Sequence, residues 1–252
     1  GLLHYKSVAE LAVQFNAISP DAIELAPLLE KIKSAGLSPI AQIYTLMDKT
    51  APRTDRENTY GFENTTNINW YDNNPENGGK PWLNPYMTNT QTYLSSLVSE
   101  ISSAGFKQIN LKGLHFPDKN TINMNPINAT VSKSEILTQL IQKLKESANG
   151  VPVFNVVNVA AYAGINAEGY FGELVNIKCD NTALFIDIAN IEQNKAKICE
   201  QLAIPAEMPL NDVVQKLLEK ARQNDNTSII SSNFTGLSEI MTAVNIKAST
   251  IY

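Results

Sequence analysis

Short apolar runs alternate with amphipathic segments along the whole chain. The runs are Ala12–Ile18, Pro39–Leu46, Gln108–Phe116, Pro152–Ala160, Ala183–Ile191, Ser228–Phe234 and Val244–Ile251. Each is rich in Val, Ile, Phe or Tyr, as strands buried on both faces of a parallel sheet are. Between them lie helical patterns at Ala22–Ala35, Thr90–Ala104, Lys133–Ala148, Leu210–Gln223 and Leu237–Ala243. Gly36 and Gly105 follow two of these where a left-handed cap is expected. Ser132 or Ser134 caps the third.

Strands alternating with helices predict a parallel sheet with helical crossovers. At 252 residues the chain matches the ~250 residues typical of a barrel. The expected fold is therefore a single α/β domain, a TIM-type (β/α)8 barrel over residues 1–252, incomplete at its N- and C-terminal ends. Gly1–Tyr5 would be the remnant of the first strand. An open doubly wound sheet is the alternative. At least seven parallel strands are expected, with Ile40–Tyr44, Ile109–Leu111, Phe154–Val157 and Leu184–Ile188 in one sheet.

Residues 49–90 carry neither period. The stretch is polar, Asn-rich and full of rings: Tyr60, Phe62, Trp70, Tyr71, Trp82 and Tyr86. A long irregular loop in a compact domain is usually functional, and this aromatic content argues against disorder. Following a strand, it is expected over the strand C-termini, where barrels build their sites.

Composition removes several functions. With 43% hydrophobic and 18% charged residues the chain can bury a core. A net charge of −5 without a basic run argues against nucleic acid as a partner. No apolar stretch reaches the ~18 residues of a membrane span. Two cysteines, Cys179 and Cys199, and two distant histidines, His4 and His115, make no metal site. No cofactor is expected, since phosphate loops, dinucleotide fingerprints and the Gly-x-Ser-x-Gly elbow are absent. Asn-x-Ser/Thr triplets start at Asn64, Asn128, Asn226 and Asn233. In an Asn-rich chain they read as chance rather than glycosylation. Oligomeric state is not legible.

The stretches G36LSPIAQIYTLMD48, W82LNPY86, the helix from Thr90 and G105FKQINLKGLHFP117 carry a resemblance. They resemble a bacterial family of glycosyl hydrolase domains related to the α-amylase-like barrels. That family runs from a strand through a loop to Trp-x-Asp-Pro-Tyr, a helix, then Gly-Phe-Asp-x-Ile-x-Phe-Asp-Tyr-x-Arg-Phe-Pro. The resemblance implies a sugar-facing barrel and favours an extracytoplasmic or cell-surface protein. The catalytic positions depart from it. The Asp of Phe-Asp-Tyr falls on Lys112, the Arg on His115, the Asp of Trp-x-Asp-Pro-Tyr on Asn84, and a further acid on Asn16.

Glycoside hydrolysis normally needs two carboxyl groups flanking the scissile bond. The weak catalytic candidates are Asp48, Asp187, Glu192 and His115. Asp48 and Glu192 are read at strand ends, whereas Asp118 is read as solvated. Asp187 is read inside a strand, pointing into the barrel and pairing with Lys112. The expected substrate-binding residues are Tyr60, Trp70, Tyr71 and Asp72, set among Asn64, Asn67, Asn69, Asn73 and Asn74. Rings stack on sugar faces while polar neighbours bond hydroxyls. Trp82 and Tyr86 read as packing residues. The functional reading is a glycosidase-like barrel that has lost catalysis and serves as a carbohydrate-binding or structural module. The alternatives are an active glycosidase using Asp187 and Glu192, and an assembly subunit using the barrel's outer surface.

Overall fold

The computed structural model describes residues 1–65, 67–117, 121–165, 177, 179, 181–222, 228–231 and 248–251. They fall into two compact units, Gly1–Val153 and Phe154–Tyr252.

In the first unit β1 (Leu3–Tyr5) is joined by the short α1 (Glu10–Gln14) to its parallel partner β2 (Ile18–Ile23). The chain continues through α2 (Leu25–Ser34) to β3 (Ile40–Tyr44). The long loop follows, with the four-residue α3 (Ala51–Thr54) and the two-residue β4 (Gly61–Phe62) in it. Then come α4 (Thr88–Ala104), β5 (Gln108–Lys112), β6 (Met124–Asn125) and α5 (Lys133–Ser147). β3 and β5 pair in parallel, Ile40 opposite Gln108 through Tyr44 opposite Lys112. β4 and β6 form a small antiparallel pair.

Local chemistry explains the helices. Ser132 Oγ accepts from the Glu135 N–H at 3.2 Å, a Ser-x-x-Glu start. The buried residues that follow, Ile136, Leu137, Leu140, Ile141 and Leu144, lie on one face of α5. α4 likewise buries Tyr93, Leu94, Leu97, Val98 and Ile101. It stops at Gly105, whose φ of 103° is left-handed. Gly36 has φ 73° just beyond α2.

The boundary falls at the first residue of β7 (Val153–Asn158); the second unit holds the rest of that strand, α6 (Val159–Tyr162), β8 (Thr182–Ile186), α7 (Ile188–Gln193), α8 (Lys195–Leu202), α9 (Leu210–Arg222), β9 (Ser228–Ser231) and β10 (Ala248–Ile251). β7 pairs with β8, β8 with β9, and β9 with β10, all in parallel. Its core joins Leu184 and Ile186 to Ile191, Ile198, Val213, Val214, Leu217 and Leu218. Cys179 and Cys199 are not joined in a disulfide.

Eight strands therefore take part in parallel pairs among the described residues. The fold is mixed α/β with parallel sheet. Two expectations are corrected. Ala12–Ile18 is not a strand: it is the end of α1, a turn through Asn16 at φ 50°, and only then β2. Asn16 is thus an exposed turn residue before a strand, not the successor of an acid at a strand's end. Ala183–Ile191 is a strand only to Ile186, after which α7 begins. The expected helix at Leu237–Ala243 lies outside the described residues, as does Asp118.

Candidate functional site

The C-terminal ends of β3 and β5 lie side by side, because their register pairs Tyr44 with Lys112. Beyond them the chain turns at Gly113, whose φ is 71°. A Cβ there would lie 2.7 Å from Met47 Cγ, and the left-handed φ favours glycine as well. Lys112 holds its ammonium 5.5 Å from the centroid of the Tyr44 ring, a cation–π geometry. Tyr44 remains 48% exposed.

The long loop folds over these ends. The Leu83 N–H donates to the Leu46 carbonyl at 3.0 Å, and the Trp82 ring packs edge-on against His115 at 5.4 Å. The loop is tied down throughout. Asp72 accepts from the Lys80 N–H at 2.7 Å and from the Trp82 indole at 2.9 Å. Asp55 accepts from Asn89 across the loop's two ends at 3.3 Å. Asn84 is fully buried; it donates to the Pro126 carbonyl at 2.9 Å and accepts from the Tyr86 N–H at 3.1 Å. A carboxylate could not make the first of these bonds. Asn84 is an interior clamp, and its amide is what this loop requires.

The four expected binding residues divide. Tyr60 and Trp70 are buried, at 0% and 1% exposure, and pack edge-to-face at 6.0 Å. Tyr60 also meets Phe116 at 6.1 Å. These two rings form the loop's own core and offer no face to a ligand as they stand. Tyr71 and Asp72 are only half-buried.

The catalytic candidates fall in both units, and each has its own local setting. Asp48 is buried, and its Oδ1 accepts from the Thr50 and Ala51 N–H groups at 2.7 and 3.4 Å. The Gly1 nitrogen lies 2.7 Å from the same oxygen. Burial, and then the nearby Asp48 charge, raise the Tyr93 phenol's pKa above its ordinary value. His115 is half-buried, with Nδ1 2.8 Å from the Phe116 carbonyl. In the second unit Asp187 is not inside a strand. It is the N-cap of α7, accepting from the Asn190 N–H at 3.0 Å. Glu192 is exposed within α7, not at a strand end.

Sequence reasoning missed a groove of about 750 Å³ in the first unit, lined by β1, β3, α4 and the loop. Toward the start of β3 its walls are apolar, with Ile23, Leu28, Ile40 and Phe106. Toward the end of β3 they become Tyr44, Asp48, Lys49, Asp72, Lys80 and Trp82. Tyr44, Lys49 and Lys80 had no distinguishing pattern in sequence. Among the described residues no group of His, Cys, Asp and Glu is arranged to hold a metal, and no helix is long and apolar enough to cross a membrane.

Residues 1–171 match the family described as "Putative glycosyl hydrolase domain". The chain belongs to that family. A hypothetical protein from Ruminiclostridium thermocellum ATCC 27405 has a similar fold, with TM-score 0.54 and 21% identity over 62% of this chain and 76% of that one. An inactive mutant of a GH20 exo-β-N-acetylglucosaminidase from Vibrio harveyi gives TM-score 0.47 and 10% identity over 82% of this chain, which spans 28% of that enzyme. Aspergillus fumigatus Ega3 in complex with galactosamine gives 0.42 and 12%, over 85% of this chain and 71% of that one. No curated protein matches.

Proposed function

We propose that this glycosyl-hydrolase-like domain binds carbohydrate at the C-terminal ends of β3 and β5 and has lost hydrolysis. The observation that carries the reading is Lys112 on Tyr44, where the family places an acid. An oxocarbenium-like transition state is cationic. An ammonium ~4 Å from it at an effective dielectric of ~20 opposes it by about 4 kcal/mol, roughly a thousandfold in rate.

The remaining acids support the same reading. Asp48 and Asp72 bond backbone and indole N–H groups, Asp187 caps a helix, and Glu192 stands on an exposed helix position. Tyr44, exposed, and Tyr71, half-buried, are open enough to stack on a sugar. Parallel strand pairs alternating with helices support a (β/α)8 barrel, for which a sheet closed on itself is the check. An extracytoplasmic or cell-surface setting is consistent with this role.

The test is an assay of the purified chain against α- and β-linked oligosaccharides, with glycan binding measured in parallel. Binding without turnover is expected, with Tyr44→Ala weakening it. Turnover that vanishes in Asp187→Asn or Glu192→Gln would establish a working glycosidase instead.

A further inference from the structure

We infer that the saccharide held at this end carries a negative charge, a uronic acid being the fitting class. The inference rests on the carbohydrate-binding reading and specifies its ligand. Tyr44, Asp48, Lys49, Asp72, Lys80 and Trp82 line the polar end of the groove. Its two carboxylates already have partners. Asp48 is buried and accepts two backbone N–H groups. Asp72 places one oxygen on the Lys80 N–H and the other on the Trp82 indole.

The lysines are in the opposite condition. Lys49 and Lys80 are exposed, and neither ammonium has an ion-pair partner among the described residues. An ammonium has three donors and no acceptor, so the uncommitted polar atoms contributed by Lys49 and Lys80 are donors. A neutral sugar would engage them through hydroxyls alone. A carboxylate on the ring would meet charge-assisted donors, roughly twice as strong, while Tyr44 takes the apolar face. The chain as a whole is at −5, so general attraction does not draw polyanions to it, and the preference depends on Lys49 and Lys80.

The experiment is calorimetric titration with oligogalacturonate, its methyl ester, maltooligosaccharide and poly-glutamate. The proteins are the full chain and a Lys49→Gln/Lys80→Gln double variant. Both positions are exposed, and circular dichroism verifies the variant's fold. The acid form should bind, and methyl esterification or the double substitution should each weaken it about tenfold or more. Equal affinity for the ester would overturn the charge inference while leaving carbohydrate binding standing. Equal affinity for poly-glutamate would overturn it by showing a cationic patch indifferent to sugar. Failure of every glycan to bind would overturn both readings.

Discussion

Asp72 holds Trp82 in place: its Oδ2 accepts the indole N–H at 2.9 Å while Oδ1 accepts the Lys80 N–H at 2.7 Å. One carboxylate thereby fixes the wall of the groove and the ring that packs on His115. Asp72→Ala leaves both donors unpaired, and hydrogen bonds to charged groups contribute about 1.5–3 kcal/mol each. Urea denaturation should show a loss of about 2 kcal/mol or more, with Trp82 emission shifting red. An unchanged emission spectrum would mean that the indole is held by packing alone.

Three phenols make the protein sensitive to alkali. Burial is the largest cause raising the pKa of Tyr5, Tyr60 and Tyr93, followed by Glu100 for Tyr5, Tyr86 for Tyr60 and Asp48 for Tyr93. A raised phenol pKa means that above pH ~10 the folded state holds protons the unfolded state has lost. Stability is then complete below pH ~10 and falls above it, by about 1.4 kcal/mol per pH unit for each phenol held neutral. Absorbance at the tyrosinate band should show these three of the nine tyrosines ionising only with unfolding. Smooth titration of all nine in the folded protein would contradict this.

Tyr60 separates packing from hydrogen bonding. Its ring is fully buried, and its hydroxyl has no hydrogen-bond partner among the described residues. Tyr60→Phe should be neutral, or stabilising by up to about 1 kcal/mol, because a buried unpaired polar group costs energy. Trp70→Ala, beside it, should cost about 3–5 kcal/mol. A large loss in Tyr60→Phe would point to a water bound on the hydroxyl.

Lys112→Asp should not restore turnover. The substitution removes the ammonium from Tyr44 but supplies one carboxylate, and Asp48 and Asp72 remain committed to N–H donors. A panel of oligosaccharide substrates checks this, and measurable hydrolysis by the single variant would show that a second acid stands within reach.

Where sequence reading succeeded and failed follows from the residues. α5 was legible because Ser132, Glu135 and the Ile136–Leu144 face agree on one helix. β3 and β5 were legible as short runs with apolar residues at Ile40, Ile43, Ile109 and Leu111, marked off by Pro39 before the first and Gly113 after the second. β2 was hidden because Ile18–Ile23 contains Pro20 and Asp21, while the five residues of α1 supply the more apolar stretch just before it. The end of β8 was hidden because apolar residues resume at once after Asp187, whose role as the cap of α7 is the one mark of the helix start. The loop's position was inferable from its place after β3. Which of its rings are interior was not, since Tyr60, Trp70 and Tyr71 are alike in composition and differ only in what packs on them.

Gly113 also bears on any redesign of this end. With φ at 71° and Met47 Cγ 2.7 Å from where a Cβ would stand, a side chain at 113 meets a left-handed backbone and the Met47 side chain together. A new residue at 112 can therefore draw support from a side chain at 113 only if Met47 moves and the turn relaxes.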